Sequence, residues 1–240
     1  SVRIGGEAKV ALQSMTNTDT RDVEATLAQV QELFQAGCDL VRLAVPDMES
    51  ARAFGEIRRN IGKPLIADIH FDYRIAIEAI EQGADKIRIN PGNIGAFDRV
   101  KKILDAAAAR NTVIRIGVNA GSLEKKLRQE KGINPASMVE SALSQVREIE
   151  SYGFNRLVIS AKASSVMSTI EVNRILAKVV DYPLHLGLTE AGLPPEGSIK
   201  SAVAIGTLLA EGIGDTIRVS LTGNPVREVE VGLQILRSLG

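Results

Sequence analysis

One cysteine, Cys38, in 240 residues is too few for a disulfide or for a thiolate-held metal or cluster within this chain. Cys38 is expected as a small buried residue just ahead of a strand. Tryptophan is absent and aromatics make up 3%, so platforms for stacking bases are lacking. Lysine plus arginine balance aspartate plus glutamate at 29 each. That balance gives no global attraction to nucleic acid or to an anionic membrane, and any anion site must be a local concentration of charge. No apolar run approaches the ~18 residues of a transmembrane helix, and no signal peptide opens the chain. A soluble cytoplasmic protein without nucleic-acid or membrane partners is expected.

What is present is alternation. With 45% apolar and 24% charged residues the composition is that of a globular protein, and residues 1–240 fit one domain. Short β-rich runs fall near 9–15, 40–45, 64–70, 86–90, 113–119, 156–162, 184–190 and 216–221. Between them lie helical spacings. Val23, Leu27, Val30 and Phe34 follow a cap at Asp19–Thr20; Met138, Ala142, Val146 and Ile149 make another; the last helix follows Pro225. Eight alternating β and α units predict parallel strands and a (β/α)8 TIM barrel with outer helices. A doubly wound sheet is the alternative, but no G-x-G-x-x-G follows the first strand. A faint repeat supports closure: Gly37–Arg42, Gly83–Arg88, Gly153–Val158 and Gly212–Arg218 each read as a helix-ending glycine, a short turn and a strand.

Five of these strands carry a cation among aliphatic neighbours: Arg42, Arg88, Arg115, Lys162 and Arg218. Strand side chains alternate in direction. The parity that turns these cations inward also turns in Asp68, His70, Asn90, Gly117, Asn119, Ser160 and Ser220. The inward acids on this reading are Asp68 and Glu190. Burying so many cations against so few anions costs several kcal/mol per unpaired charge, so the missing anion is expected to be a ligand, and a diphosphate fits. Structural pairing with loop acids is the competing reading for any single arginine. His70 is a proton-transfer group or a plain hydrogen-bonded side chain; Glu190 is a salt-bridge partner or a general acid. His185, at the start of its strand, reads as structural. The turn Asn90–Asn93 offers amides to phosphate.

Six motifs occur in order: QSMTNTD (13–19), ADIHFD (67–72), RINPGN (88–93), RIGVNAGS (115–122), LTEAG (188–192) and EGIGDTIRVS (211–220). Together they resemble the barrel domain of the 4-hydroxy-3-methylbut-2-enyl diphosphate synthase (HMB-PP synthase) family, across essentially the whole chain. The resemblance implies a reductive opening of 2-C-methyl-D-erythritol 2,4-cyclodiphosphate in isoprenoid biosynthesis. It implies that Arg42, Arg88, Arg115, Lys162, Arg218 and Ser220 grip phosphate oxygens, with a hydrogen bond from Asn119. Glu190 is implied as the acid, and Asp68, His70 and Asn90 as pocket lining. The family's [4Fe–4S] cluster sits on a C-terminal domain with three cysteines that this chain does not contain. The isolated barrel is therefore expected to bind no cofactor and not to turn over. Flavodoxin or ferredoxin as electron donor, and a head-to-tail homodimer, are further implications. A dihydropteroate-synthase-like transferase and a non-catalytic diphosphate-binding module are the alternatives.

Overall fold

Valine and isoleucine concentrate in runs too short for helices, and these runs become strands because branched side chains pack well on a pleated surface. In the computed structural model the order is β1 (Ala11–Met15), α1 (Val23–Gln35), β2 (Leu40–Ala44), α2 (Met48–Arg59), β3 (Leu65–Asp68), α3 (Tyr73–Glu81) and β4 (Lys86–Ile89). Then come α4 (Pro91–Ile94), α5 (Phe97–Arg110), β5 (Val113–Asn119), α6 (Lys125–Lys131), α7 (Pro135–Ser151) and β6 (Leu157–Lys162). The chain closes with α8 (Val166–Val179), β7 (His185–Leu186), α9 (Glu196–Ala210), β8 (Thr216–Ile217) and α10 (Pro225–Arg237). The structure describes residues 2–119, 121, 123 and 125–240, and the side chains of all of these but Lys125 and Lys126. Ala120 and Ser122 of the 115–122 motif lie outside the described residues.

All eight strands are parallel, in the order β6-β5-β4-β3-β2-β1-β8-β7. A bridge between Ile159 and Leu184, with Ile159 N donating to Pro183 O at 2.9 Å, brings the two ends together. The result is a nearly closed TIM barrel, as the alternation predicts.

The repeat has a physical basis. Asp39, just before β2, accepts from Leu12 N of β1 at 2.8 Å. Asp85, before β4, accepts from Leu65 N of β3 at 2.9 Å. Asp215, before β8, accepts from Leu184 N beside β7 at 2.7 Å. Each aspartate thus satisfies a first amide of the neighbouring odd-numbered strand, which has no ladder partner there.

Several local expectations are corrected. Asp22, not Asp19–Thr20, caps α1, accepting from Ala25 N at 3.0 Å. The seventh and eighth strands are two residues each, shorter than the β-rich runs, and the chain past β7 turns sharply, with Glu190 at φ 51. Two helices, α4 and α6, add to the eight expected.

The large core lies between barrel and helices; Val41 and Leu43, flanking Arg42, are both buried in it. Inside the barrel, Ala11, Leu40 and Ile66 pack with Val2 and Ile4. Ala11, Leu40 and Ile66 are the first inward positions of β1, β2 and β3, so apolar contact fills that side of the N-terminal end, while buried Lys86, His185 and Thr216 begin β4, β7 and β8. Among the described residues, no helix is long and apolar enough to cross a membrane.

Candidate functional site

Parity carries the cations to one place. Arg42, Arg88, Arg115, Lys162 and Arg218 all line a cavity of about 190 Å3 at the C-terminal end of the strands. Asp68, His70, Asn119, Ser160, Glu190 and Ser220 line it with them. A larger groove, about 430 Å3, lies between α9 and α10 and is lined by Ile199, Ala202, Val231 and Ile235 without a charged side chain. Size therefore does not mark the site; convergent charge does.

Asp68 is the hub on one side. Arg88 Nη1 donates to its Oδ1 at 3.2 Å, Arg42 Nε lies 3.6 Å from Oδ2, and His70 Nε2 lies 3.6 Å from the same oxygen. Burial alone would raise the Asp68 carboxyl. The Arg42 charge, the His70 contact and the Arg88 charge outweigh it and hold Asp68 well below the usual carboxylate range. Arg42 also points Nη2 at Met15 Sδ, 2.9 Å away. Asn119, in the amide orientation that satisfies both its atoms, accepts from Arg88 Nη2 at 3.3 Å.

Two glycines make room. Gly117, on β5, has no side chain where the Arg88 guanidinium lies; a Cβ there would stand 2.5 Å from Arg88 Nε. Gly187, at φ 150, leaves room for Lys162; a Cβ there would stand 2.7 Å from Nζ and would also strike the carbonyl oxygen of Arg218.

Arg218 is the cation with a dedicated carboxylate. Its Nε and Nη2 donate to Glu228 Oε2 and Oε1 at 3.1 and 2.9 Å, a bidentate pair. Glu228, in the first turn of α10, also accepts from Leu221 N at 3.1 Å and Ser14 Oγ at 3.3 Å. Sequence reading missed Glu228, and the bland reading of an arginine as an ion-pair partner describes Arg218 in part.

The other two cations lack such partners. Arg115 is 1% exposed; its Nη1 donates to Gln13 Oε1 at 3.0 Å, while its Nε has no partner. Lys162 has no carboxylate or hydrogen-bond partner among the described residues. Burial, and then the neighbouring cations, push both well below their ordinary values. Arg42 is pushed down to about 10, chiefly by burial. A sixth cation, Lys86, lies two residues before Arg88 on β4 and shares its inward parity. It is 3% exposed, its Nζ has no partner, and burial together with the Arg115 charge pushes it down to about 7. Alternation pointed to it, but it was not counted.

Glu190 is exposed at the rim in the left-handed region at φ 51, a conformation that costs a non-glycine residue about 1–2 kcal/mol. Its neighbours hold it there: Thr189 N donates to Ala163 O at 3.0 Å and Ala191 N to Ser220 O at 3.2 Å. Glu228 thus adds to the two acids expected, Asp68 and Glu190, which both line the cavity. Asp68 and Glu228 are the buried carboxylates, and Glu190 stands at the mouth.

Asn90 is also corrected. It is 2% exposed but lies off the cavity lining, and its side chain caps α4 by accepting from Gly92 N at 3.1 Å. The turn expected at 90–93 is that short helix, whose first residue, Pro91, has no N–H to offer. His185 sits inside the barrel, fully buried, with Nδ1 2.5 Å from Thr216 Oγ1. Burial, and then the surrounding cations, push it well below the ordinary imidazole value.

The residues described supply no ligand set for a metal cluster. Cys38 is buried, with its thiol pushed up to about 12 by burial, and no three histidine, cysteine or acidic side chains converge among the described residues.

The family model of the GcpE TIM-barrel domain matches residues 1–233. The 4-hydroxy-3-methylbut-2-en-1-yl diphosphate synthase (flavodoxin) of Caldanaerobacter subterraneus is 59% identical over 99% of this chain and 67% of the relative. The enzyme of the same name from Pseudomonas putida is 56% identical over 100% of this chain and 65% of the relative. The chain thus spans about two thirds of these curated relatives. Among solved structures, dihydropteroate synthase from Stenotrophomonas maltophilia matches with a TM-score of 0.70 at 17% identity, covering 96% of this chain and 91% of that one. The Yersinia pestis enzyme matches at 0.68 and 13% identity, covering 99% and 98%. Likeness at that identity concerns the fold alone and does not favour a transferase. A family model over nearly the whole chain and relatives sharing more than half its residues lead to one assignment: the chain belongs to the HMB-PP synthase family and comprises its GcpE TIM-barrel domain.

Proposed function

We propose that this barrel binds 2-C-methyl-D-erythritol 2,4-cyclodiphosphate for its reductive opening to 4-hydroxy-3-methylbut-2-enyl diphosphate in isoprenoid biosynthesis. The observation that carries this reading is the surplus of cations in one cavity. Arg42, Arg88, Arg115, Lys162 and Arg218 line it, against Asp68 and the rim carboxylate Glu190 in the lining and Glu228 paired with Arg218. A diphosphate supplies the missing negative charge, and guanidinium groups match its oxygens.

Arg115 and Lys162, which lack carboxylates, take the phosphate oxygens directly. Arg42, Arg88 and Arg218 use the donors left free by Asp68 and Glu228, and Ser220 and Asn119 add hydrogen bonds. Glu190, at the mouth, gives its proton to the oxygen that departs as water. Asp68 and His70 line the wall beside the ligand; Asn90 shapes the loop after β4 from outside the cavity. A [4Fe–4S] cluster on a further domain would supply the two electrons, received from flavodoxin, which the names of the relatives contain, or from ferredoxin. That domain, carried by a second copy in a homodimer, completes the enzyme. Residues 1–240 form its single substrate-binding domain and work in the reducing cytoplasm.

The test is calorimetric titration of this chain with the cyclic diphosphate and, for comparison, a pterin diphosphate. Selective binding of the cyclic compound is expected. Arg115→Ala should weaken it by about 1–3 kcal/mol, the scale of a charge-assisted hydrogen bond. Preference for the pterin compound, or unchanged affinity in Arg115→Ala, would overturn the reading.

A further inference from the structure

In the register of β4 and β5, Arg88 stands opposite Arg115. Its side chain leans two residues further along β5, onto Gly117. The three nearest atoms that a Cβ on Gly117 would meet all belong to the Arg88 guanidinium: Nε at 2.5 Å, Nη2 at 3.0 Å and Cζ at 3.1 Å. Real Cβ atoms do not tolerate the first of these distances. The backbone is not the reason for glycine, because Gly117 is not among the residues of positive φ.

The guanidinium is also fixed at its other edges. Nη1 bonds Asp68 at 3.2 Å and Nη2 bonds Asn119 at 3.3 Å. A methyl group at 117 would therefore have to break these bonds or push the guanidinium off the strand into the cavity that Arg88 lines. The device recurs two strands on, where Lys162 lies over Gly187.

We infer that Gly117 is the berth of Arg88 and a specificity-determining position: its missing side chain keeps the guanidinium flat on β5 and the cavity deep enough for a cyclic diphosphate. The inference rests on the proposed function for the identity of the ligand. Gly117 touches no phosphate itself; it acts through Arg88.

The experiment is calorimetric titration of the parent chain, Gly117→Ala, Arg88→Ala and the double variant, each with the cyclic diphosphate and with inorganic pyrophosphate. Gly117→Ala should weaken the cyclic ligand roughly tenfold to a hundredfold, the scale of overpacking a close-packed site. Pyrophosphate, being smaller, should lose less than about threefold. In the Arg88→Ala background, adding Gly117→Ala should change either affinity by less than about twofold, because the space is already vacated. Equal losses for both ligands, or effects that multiply across the two substitutions, would overturn the inference. If the parent binds neither ligand, the functional reading fails, and the berth is then judged by thermal unfolding. Gly117→Ala should lower the midpoint with Arg88 present and leave it unchanged in Arg88→Ala. If Gly117→Ala does not fold, the double variant must; its failure would show that the methyl meets something other than Arg88.

Discussion

Lys86 shows what a single side chain costs inside this barrel. An ammonium buried beside Arg115 and without a partner is disfavoured, and its pKa falls to about 7. The unfolded chain holds that proton up to about pH 10.4. Between these values the unfolded state binds more protons, so the folded state gains stability as pH rises from 7 towards 10.4 and loses it on the way down. Lys86→Met, which removes the charge at similar volume, should therefore stabilise the chain near pH 7 by about 2–5 kcal/mol. The gain should shrink as pH climbs, and denaturant unfolding at several pH values checks it. A gain independent of pH would mean that packing, not charge, is at work. Glu190 carries a cost of another kind. At φ 51, replacement by glycine removes the left-handed penalty, and Glu190→Gly should raise stability by about 1 kcal/mol in the same assay. Loss of stability would show that the carboxylate makes a contact worth more than the strain. Alternation along strands made five inward cations legible but not Lys86, which shares the parity of Arg88 at the start of β4. Glu228 was not legible, because it reaches Arg218 from the first turn of a helix, and no strand periodicity reports that contact.

Among the elements, the even-numbered strands carry the instruction. Asp39, Asp85 and Asp215 each close the end of the preceding strand, and all three belong to the repeat read from the sequence. Asp85→Ala leaves Leu65 N without its acceptor at the start of β3. It should cost about 1–3 kcal/mol by denaturant titration and leave the cavity at the opposite end of the strands intact. A neutral result would mean that water replaces the carboxylate there. The order and number of strands followed from β-rich runs separated by helical spacing. The ends of β7 and β8 did not, because Leu188, Val219 and Leu221 continue an apolar strand-like pattern while the backbone turns out of the ladder to build the mouth. Asn90 is a different case: one residue past β4 its backbone is still extended, but as the N-cap of α4 its side-chain oxygen is taken by Gly92 N.

At the scale of the whole molecule, a formal charge of zero conceals an uneven distribution. Outside the barrel, opposite charges meet across the surface, as in Arg174–Glu211, Lys200–Glu196 and Arg227–Glu230. Such exposed pairs contribute little each and leave no net field. Inside, cations outnumber carboxylates and depress one another, and an anion bound among them would relieve that repulsion. Binding should then draw Lys162 back towards its ordinary value, with proton uptake from solvent, while Arg115 stays charged throughout. The most direct measurement is a calorimetric titration of this chain with the cyclic diphosphate at about pH 8, in two buffers of different ionisation enthalpy. Saturable binding with net proton uptake is the predicted result. No binding, or binding with net proton release, would contradict the claim that the barrel's surplus charge is completed by its ligand.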